Sequence, residues 1–451
     1  MNGFIIGGTN SGAGKTTITL GILSYLKSLG YKVQGFKAGP DFIDPGHHSV
    51  ILNRPSHNLD SWMLKPWINK KIFEYYSEDA EISIIEGVMG LYDGFSPTQD
   101  IGSTAHLAKI LNLPVVLVVN ASSMARSIVP IILGYITFDK KIKIAGVILN
   151  KVGSKNHAKI LEQAISHYLN IPCFGFFEKN PDISLSSRHL GLVTANEDIW
   201  DKEKIQRLIS WTSKSVTPSF LKFIEKQKKQ PRNKTKVSAK KQVKIAVAMD
   251  RAFCFYYQLN LKLLEQMGAE LLYFSPLKET KLPKGIKGIY FGGGYPELYL
   301  EELSQNKKIK NEIVRFVEDY NVVYGECGGF MYLMASIKNK DNIMRNMVGV
   351  FPFHATLSKK LVSLGYRKII LLEDCPIGPK GIEAKGHEFH YSYVQGLKRY
   401  SKNIYEVYSR DNEKKESFGV RYKNCIGSYI HLHFASNILI AKYFVKYCRE
   451  I

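Results

Sequence analysis

The stretch FIIGGTNSGAGKTT, residues 4–17, decides the fold of the N-terminal half of this chain. An apolar run ends in glycine, and helical periodicity follows from Lys15 through Leu29, so the pattern predicts a strand, a loop and a helix. Backbone N–H groups of such a loop, with the helix N-terminus, can hold the phosphates of a nucleotide. The residues predicted to bind ATP are Gly12, Gly14, Lys15, Thr16 and Thr17.

Within this loop, Lys15 is expected to reach the outer phosphates, and the Thr16 hydroxyl is expected to ligate Mg²⁺. Gly8 precedes Gly14 by one residue more than usual, so that Thr9 stands where the first glycine of a phosphate loop normally lies. This longer loop resembles the dethiobiotin synthetase branch of phosphate-loop enzymes.

Three further apolar runs have the character of strands that are buried on both faces. They are SIIEG at 83–87, PVVLVVN at 114–120 and KIAGVILN at 143–150. Helix-sized segments separate them, which is typical of a parallel sheet covered by helices on both sides.

Two acidic segments follow predicted strands, KAGPDFIDP at 37–45 and EGVMGLYDG at 86–94. Ligands bind beyond the carboxyl ends of parallel strands, and carboxylates beside a triphosphate suit Mg²⁺. The predicted metal ligands are Thr16, Asp41, Asp44 and Glu86, with Asp60 as a weaker alternative. Each carboxylate taken singly also fits a helix cap or a loop charge. Lys37 is expected to stabilise charge on a transferring phosphoryl group.

Apolar periodicity disappears between residues 222 and 242, where lysine and glutamine dominate, so this segment is predicted to be a linker. It separates an ATP-binding domain at 1–221 from a second α/β domain at 243–451. In the second domain, strands are expected at 244–250, 288–294 and 321–326, a helix-like segment at 296–320, and antiparallel strands between about 340 and 430. The predicted fold class is α/β with two domains.

Six cysteines are present, and none forms a CxxC pair. Cys327 stands out because GECGG, residues 325–329, lies between a predicted strand and the helix-like FMYLMASI, residues 330–337. A nucleophile flanked by small residues on such a turn is exposed, and a helix N-terminus lowers a thiol pKa. We therefore predict that Cys327 is a catalytic nucleophile.

A cysteine nucleophile needs a base and a site for the oxyanion. YIHLH, residues 429–433, offers His431 as the favoured base and His433 as the alternative. GGGYPE, residues 292–297, precedes a predicted helix and offers backbone amides. The predicted oxyanion hole consists of Gly293, Gly294 and Gly328, which would complete an amide-hydrolysing set.

Together these motifs resemble the cobyrinate a,c-diamide synthase family over essentially the whole chain. Further matching stretches are FKAGPDFIDPGHH, NLDSWM, SSRHLGL, AVAMDRAFCFYY and GHEFHYS. The resemblance implies a dethiobiotin-synthetase-like ATP domain followed by a class I, triad-type glutamine amidotransferase domain. It further implies that ATP activates the c and then the a carboxylate of a corrin-type tetrapyrrole, and that ammonia from glutamine displaces the phosphate.

The resemblance leaves several roles open. The usual His-Pro-Glu is absent because His433 stands two residues after His431, so the acidic member of the triad is unidentified and Glu388 is only a weak candidate. Asp93 is a candidate substrate contact. Hydrogenobyrinate and nickel-sirohydrochlorin are alternative ring substrates for the same chemistry.

Composition limits the remaining function classes. The formal net charge is +22, but much of the lysine lies in residues 222–244, and the rest is scattered without the interleaved aromatic residues of a single-strand binding groove. No apolar run is long enough to span a bilayer. We therefore expect a cytoplasmic enzyme with no nucleic acid or membrane partner, and a homodimer is one option. A phosphate-loop partitioning ATPase is a remote alternative, because it leaves Cys327 and His431 without purpose.

Overall fold

The computed structural model describes residues 2–183, 187–188, 191–192, 200–232, 240–396 and 403–451. The chain forms two compact units, Met1–Thr235 and Lys236–Ile451. Of the family-like stretch SSRHLGL, residues 186, 189 and 190 lie outside the described part. Among the described residues, no helix has the length and apolarity that crossing a membrane would require.

The N-terminal unit is built on a parallel sheet of seven strands in the order β3-β2-β4-β1-β5-β6-β7, which confirms the predicted α/β class. Its strands are β1 Phe4–Gly8, β2 Val33–Ala38, β3 His57–Leu59, β4 Ile82–Glu86, β5 Val115–Asn120, β6 Ile144–Val152 and β7 Cys173–Glu178. A separate short pair follows, β8 Ser187–Arg188 and β9 Gly191–Leu192. Because β2, β4 and β1 are neighbours, the segments that follow them meet at one edge of the sheet.

Eight helices of this unit lie within the described residues. They are α1 Lys15–Ser28, α2 Ile43–Leu52, α3 Pro66–Ser77, α4 Thr104–Leu111, α5 Ile128–Phe138, α6 Lys155–Tyr168, α7 Lys202–Ser215 and α8 Pro218–Gln227. Helix α1 begins directly after the phosphate-loop stretch, as the sequence predicts. Its apolar side chains, including Ile18 and Leu23, are buried in the core of this unit.

Helix α8 extends into the segment that the sequence predicts to be a linker. Phe220 and Ile224 are buried, and the Phe220 ring lies 6.3 Å from that of Phe4. The chain beyond the helix remains attached to this unit, since the amide of Lys229 donates to Glu81 O at 3.0 Å. Of the predicted linker, residues 233–239 lie outside the described part, and the domain boundaries stay a prediction.

The C-terminal unit contains a six-stranded sheet in the order β11-β10-β12-β13-β23-β22, in which only β22 runs antiparallel to its neighbour. A four-stranded sheet, β15-β14-β16-β19, and a five-stranded sheet, β21-β20-β17-β18-β24, complete it. The strands are β10 Val243–Ala248, β11 Ala269–Phe274, β12 Ile286–Phe291, β13 Val322–Glu326, β14 Met334–Lys338, β15 Met344–Asn346, β16 Phe351–Leu357, β17 Ser363–Leu371, β18 Glu383–His390, β19 Ser392–Gln395, β20 Tyr405–Ser409, β21 Lys414–Lys415, β22 Gly419–Tyr422, β23 Cys425–Ser428 and β24 His431–Leu432.

The helices of this unit are α9 Gln258–Gln266, α10 Leu300–Gln305, α11 Lys307–Glu318, α12 Gly328–Leu333 and α13 Leu439–Glu450. The helix-like segment at 296–320 is divided at Asn306, whose side-chain amide donates to Pro276 O at 2.9 Å and to Glu279 O at 2.8 Å.

The prediction of a helix over FMYLMASI is wrong in its second half. Helix α12 ends at Leu333, and the next five residues form β14. Strand β14 pairs with β15 and β16, and Ile337 is buried in the core. Long-range strand pairing overrides the local pattern here, because a short apolar run has no decisive period of its own.

Candidate active sites

The phosphate-loop residues lie between β1 and α1, where glycine is required for a steric reason. Gly14 has a φ of 98° and precedes the first turn of α1. A Cβ at Gly14 would lie 2.0 Å from Nδ2 of Asn150. That Asn150 amide donates to Ala13 O at 2.9 Å and so ties the loop to β6. Gly12 also has a positive φ, 80°, while Thr17 is half-buried in the first turn of α1.

Lys15 is buried, and its ammonium is held by main-chain carbonyls on two sides. Nζ donates to Asn10 O at 3.2 Å and to Met89 O. Burial and the nearby charge of Lys37 lower the pKa of Lys15. A cation that is partly stripped of water and aimed along a glycine loop is suited to bind phosphate oxygens.

Thr16, Lys37, Asp44 and Glu86 come together from four segments. The Thr16 hydroxyl donates to Glu86 Oε1 at 2.6 Å and lies 3.5 Å from Asp44 Oδ2. Lys37 Nζ lies 2.5 Å from Asp44 Oδ2 and 2.9 Å from Glu86 Oε1. Four of the predicted site residues are therefore in direct contact.

The charged groups of this buried cluster shift one another's pKa values. Burial by itself lowers the pKa of Lys37, but the carboxylates of Asp44 and Glu86 raise it above its ordinary value. Burial and the charge of Glu86 raise the pKa of Asp44. Burial opposes ionisation of Glu86, yet Lys37 and the hydrogen bond from His48 hold its pKa below the usual range. Two carboxylates therefore share one ammonium.

The same oxygens fit Mg²⁺, which prefers carboxylate and hydroxyl ligands and completes its shell with water and phosphate oxygens. Thr16, Asp44 and Glu86 offer such a set. Within the described residues, no group of three or more His, Cys, Asp or Glu side chains is arranged to hold an ion.

The other predicted acidic ligands have local roles in this structure. Asp41 accepts from the amide of Asp44 at 2.8 Å and from that of Ile43 at 3.3 Å, so it caps α2. Asp60 accepts from the amides of Trp62 and Met63 at 2.8 and 2.7 Å. Asp41 therefore shows the helix-capping role that the sequence left open for it, whereas Asp60 holds the amides of a turn.

Asp93 accepts a hydrogen bond from the amide of Gly90 at 2.9 Å and is exposed. It lies on the same loop as Met89, whose carbonyl receives Lys15.

A residue that sequence reasoning missed is His48, one helical turn after Asp44 on α2. Its Nε2 lies 2.7 Å from Glu86 Oε2 and its Nδ1 lies 3.2 Å from Ser56 Oγ. The motif FKAGPDFIDPGHH could have indicated this residue, because Asp44 and His48 are four residues apart and therefore share one face of a helix.

In the C-terminal unit, Cys327 occupies a sharp turn between β13 and α12. Its φ is 47° and its ψ is −107°, a conformation that non-glycine residues rarely adopt. The turn is held by the Cys327 amide, which donates to Ser428 O at 2.8 Å. A Cβ on Gly328 would lie 2.8 Å from Gly294 O and 2.9 Å from Gly294 N, so glycine is needed for this close approach.

The expected lowering of the thiol pKa at Cys327 is not what the structure shows. Burial, followed by the charge of Glu297, raises the pKa of Cys327. Helix α12 is only six residues long, so it supplies little dipole to oppose these effects. A base is therefore needed to take the thiol proton.

His431, the predicted base, lies against the glycine loop that approaches the Cys327 turn. A Cβ on Gly293 would be 2.3 Å from its Cε1 and 3.1 Å from its Nε2, so the ring packs directly on the glycine loop. Burial, with the nearby His387 and His390, lowers the pKa of His431 to about 3. The imidazole is therefore neutral at physiological pH, the form that a general base must have, while the same burial disfavours its protonated form.

His433 has different surroundings. Its ring packs on Tyr257, with the ring centroids 4.6 Å apart, and burial lowers its pKa to about 3. The contact between His431 and the glycine loop favours His431 as the base.

One predicted oxyanion donor is occupied in this structure. The Gly293 N–H donates to Phe255 O at 3.1 Å, and its carbonyl accepts from the amides of Cys254 and Phe255 at 3.0 Å each. Gly293 is thus a backbone anchor that leaves room for His431, a correction to its predicted role as a donor. Gly294 and Gly328 lie against each other beside Cys327 and remain the candidate donors.

Two carboxylates lie near His431. Glu388, the weak sequence candidate, is bonded to Arg367, Ser417 and His390 at 2.6, 2.7 and 3.1 Å. Glu326, which sequence reasoning did not consider, has its Oε2 3.9 Å from His431 Nδ1.

Profiles of two protein families match the chain. Residues 4–193 match the CobQ/CobB/MinD/ParA nucleotide binding domain, and residues 244–438 match the CobB/CobQ-like glutamine amidotransferase domain. The phosphate-loop site falls within the first match, and the Cys327 site falls within the second.

Relatives match over nearly the whole length. A cobyrinate a,c-diamide synthase from Caldanaerobacter subterraneus is 42% identical, over 99% of this chain and 98% of its own. One from Dehalococcoides mccartyi is 40% identical, over 98% of this chain and 97% of its own. A solved structure of PurLQS from Thermotoga maritima covers 46% of this chain and 99% of its own at 15% identity, with a TM-score of 0.34.

Proposed function

Because this chain belongs to the cobyrinate a,c-diamide synthase family, we propose that it amidates the c and a carboxylates of cobyrinate with ATP and glutamine. The observation that carries this proposal is the neutral, buried His431 packed on the glycine loop beside the Cys327 turn. This arrangement supports glutamine hydrolysis. The ammonia that is released would attack a carboxylate activated at the ATP site, which contains Thr16, Lys37, Asp44 and Glu86.

In the glutaminase half, His431 takes the thiol proton and the sulfur of Cys327 attacks the side-chain amide carbon of glutamine. The N–H groups of Gly294 and Gly328 stabilise the oxyanion. His431 returns the proton to the leaving nitrogen, which departs as ammonia and leaves a glutamyl thioester. Water then attacks the thioester, glutamate is released and the thiol is restored.

In the ATP half, an oxygen of the ring carboxylate attacks the γ-phosphorus of ATP, and ADP leaves. Lys15 binds the outer phosphates and Lys37 stabilises charge on the group in transfer. Ammonia then attacks the acyl phosphate carbon, and phosphate leaves to give the amide. Thr16, Asp44 and Glu86 would hold Mg²⁺, which when bound supplies further neutralisation of phosphate charge.

Several finer features belong to this proposal and rest on the chemistry of the reaction. Mg²⁺ is the proposed metal, Asp93 a substrate contact, and the cytoplasm, where ATP and glutamine are supplied, the location. A nucleic acid ligand is not part of the proposal, and a homodimer stays one option for the assembly.

Cobyrinate is the proposed ring because the relatives are cobyrinate a,c-diamide synthases. To test this, cobyrinate, hydrogenobyrinate and nickel-sirohydrochlorin are supplied in parallel with MgATP and glutamine, and amidation is followed by mass. The proposal expects two amidations of cobyrinate with the highest kcat/KM. A higher kcat/KM for nickel-sirohydrochlorin would assign the enzyme to that ring instead.

The division of labour is tested with two variants. Cys327→Ser should abolish glutamine-supported synthesis while synthesis with high ammonia survives, because only the nucleophile is removed. Lys15→Ala should remove synthesis with either nitrogen source. Cys173→Ser and Lys214→Ala, which change residues outside both sites, are the matched controls. Loss of ammonia-supported synthesis in a folded Cys327→Ser protein would contradict the separation of the two activities.

A further inference from the structure

We propose that Glu326 is the acidic positioning residue for His431, the member of the hydrolytic set that the usual sequence position does not supply. The inference rests on the proposed glutaminase reaction and identifies one further residue in it. Glu326 immediately precedes the nucleophile in the chain.

The first observation is the placement of the two side chains. Glu326 Oε2 lies 3.9 Å from His431 Nδ1, and the side chains are only 2% and 4% exposed. Nδ1 is the nitrogen on the side of the ring away from the Nε2 that a base uses, which is where an orienting carboxylate acts in hydrolytic triads. A separation of 3.9 Å is longer than a hydrogen bond, and catalytic contacts of this kind often shorten only in the reacting complex.

The second observation is how the carboxylate is fixed. Tyr290 OH donates to Oε2 at 2.8 Å, Tyr324 OH donates to Oε1 at 2.8 Å, and the amide of Leu432 donates to Oε1 at 2.9 Å. A carboxylate has about four acceptor positions. Three are filled, and the one that remains is on Oε2, the oxygen nearest to His431.

The bond from Leu432 adds a second constraint. Leu432 is the residue after His431, so the same carboxylate holds the backbone that carries the histidine. Strand β24 contributes only two residues to its sheet, and Glu326 thereby fixes the position of the short segment that carries His431.

The rival carboxylate is directed elsewhere. Glu388 is bonded to Arg367 at 2.6 Å, Ser417 at 2.7 Å and His390 at 3.1 Å. Its charge acts on His431 from a distance, whereas its oxygens are engaged by these three side chains. Glu388 therefore orients His390 and Arg367.

The chemical role follows from the reaction. When His431 Nε2 takes the thiol proton, the ring becomes a cation, and Glu326 stabilises that cation while the proton on Nδ1 stays on the histidine. Burial raises the pKa of Glu326 to about 7. The other titratable groups that face this pair are Tyr256, Tyr290, Tyr324, Tyr405, His387, His390, Glu388 and Cys327. Glutaminase kcat is therefore expected to fall as pH decreases through about 7, because Glu326 must be ionised.

The test is Glu326→Gln in the full-length protein, with Glu388→Gln as the rival variant. Glutamate release and ammonia-supported synthesis are measured from about pH 5.5 to about pH 9, a range that brackets the expected midpoint. In Glu326→Gln, we expect glutaminase kcat to fall by about 10²-fold or more with KM for glutamine within about threefold. The fall in glutaminase kcat at acidic pH, which is the acidic limb of the pH profile, should disappear. Ammonia-supported synthesis should stay unchanged.

The remaining outcomes distinguish failure of the role of Glu326 from failure of the proposed function. Wild-type kcat and pH profile in Glu326→Gln, or loss of the limb only in Glu388→Gln, would overturn the role of Glu326 without affecting the proposed function. No glutamine hydrolysis in the wild-type protein would refute the proposed function itself. If Glu326→Gln does not fold, Glu326→Asp keeps the charge on a shorter side chain. That variant should show lower kcat with an acidic limb retained at shifted pH, and an unchanged kcat and limb would overturn the inference.

Discussion

Gly293→Ala tests the placement of His431 with a single methyl group. The new Cβ would lie 2.3 Å from His431 Cε1, whereas ordinary contacts begin at 3.4 Å. The backbone cannot easily yield, because the Gly293 N–H and carbonyl are both hydrogen-bonded to residues 254–255. The imidazole must therefore retreat by about 1 Å.

A displacement of this size in a proton-transfer group costs about 10²-fold in rate, or about 2.7 kcal/mol. We expect glutaminase kcat/KM to fall by that factor. Ammonia-supported synthesis should be unchanged, since the ATP site is in the other unit. The assay measures glutamate release and ring amidation on the same preparation.

Gly134→Ala is the matched control, because a Cβ there meets no atom within 4 Å. It should leave both activities unchanged. Full glutaminase activity in a folded Gly293→Ala protein would refute the assignment of His431 as the base. An equal loss in ammonia-supported synthesis would show that the effect is not confined to the glutaminase site.

Two further predictions concern the metal and His433. Asp44→Asn should raise the Mg²⁺ concentration that ammonia-supported synthesis requires by about tenfold or more, because it removes a carboxylate ligand, and glutamine hydrolysis should not change; a wild-type Mg²⁺ titration would contradict the ligand set. His433→Gln should keep glutaminase activity and stabilise the protein in acid relative to wild type. The pKa of His433 is about 3 when folded and about 6.5 when unfolded, so the wild type loses stability as pH falls below about 6.5. Relative to wild type, the free energy of unfolding of the variant should be higher by about 2 kcal/mol more at about pH 5 than at about pH 8. Calorimetry would show this as a higher unfolding temperature in acid. The same difference between variant and wild type at both pH values would contradict the burial of a neutral His433.

Much of the fold follows from local sequence. Apolar runs that end in glycine, followed by helical periodicity, predict the parallel strands and the phosphate loop, because period and backbone freedom are properties of neighbouring residues. The Cys327 turn is predictable for the same reason, since small residues must flank a strained strand-to-helix connection. The linker prediction included residues 222–227, which belong to α8, because burial of Phe220 and Ile224 depends on partners distant in the chain.

Within the sites, the sequence by itself identified Lys15, Thr16 and Cys327 as candidates, because neighbouring residues form the turns that carry them. Only the tertiary structure decided which of Asp41, Asp44 and Asp60 contacts Thr16 of the phosphate loop, since all three are carboxylates in similar local patterns and two of them cap backbone amides.

The acidic partner of His431 shows the same limit most clearly. Glu326 and His431 become neighbours because β13 lies beside β23 in the sheet, and β24 follows that strand. No local period encodes that pairing, and the residue before a nucleophile carries no sign of its orientation. The sequence determined the elements and the reactive turns, whereas the order of strands in the sheet determined which side chains meet.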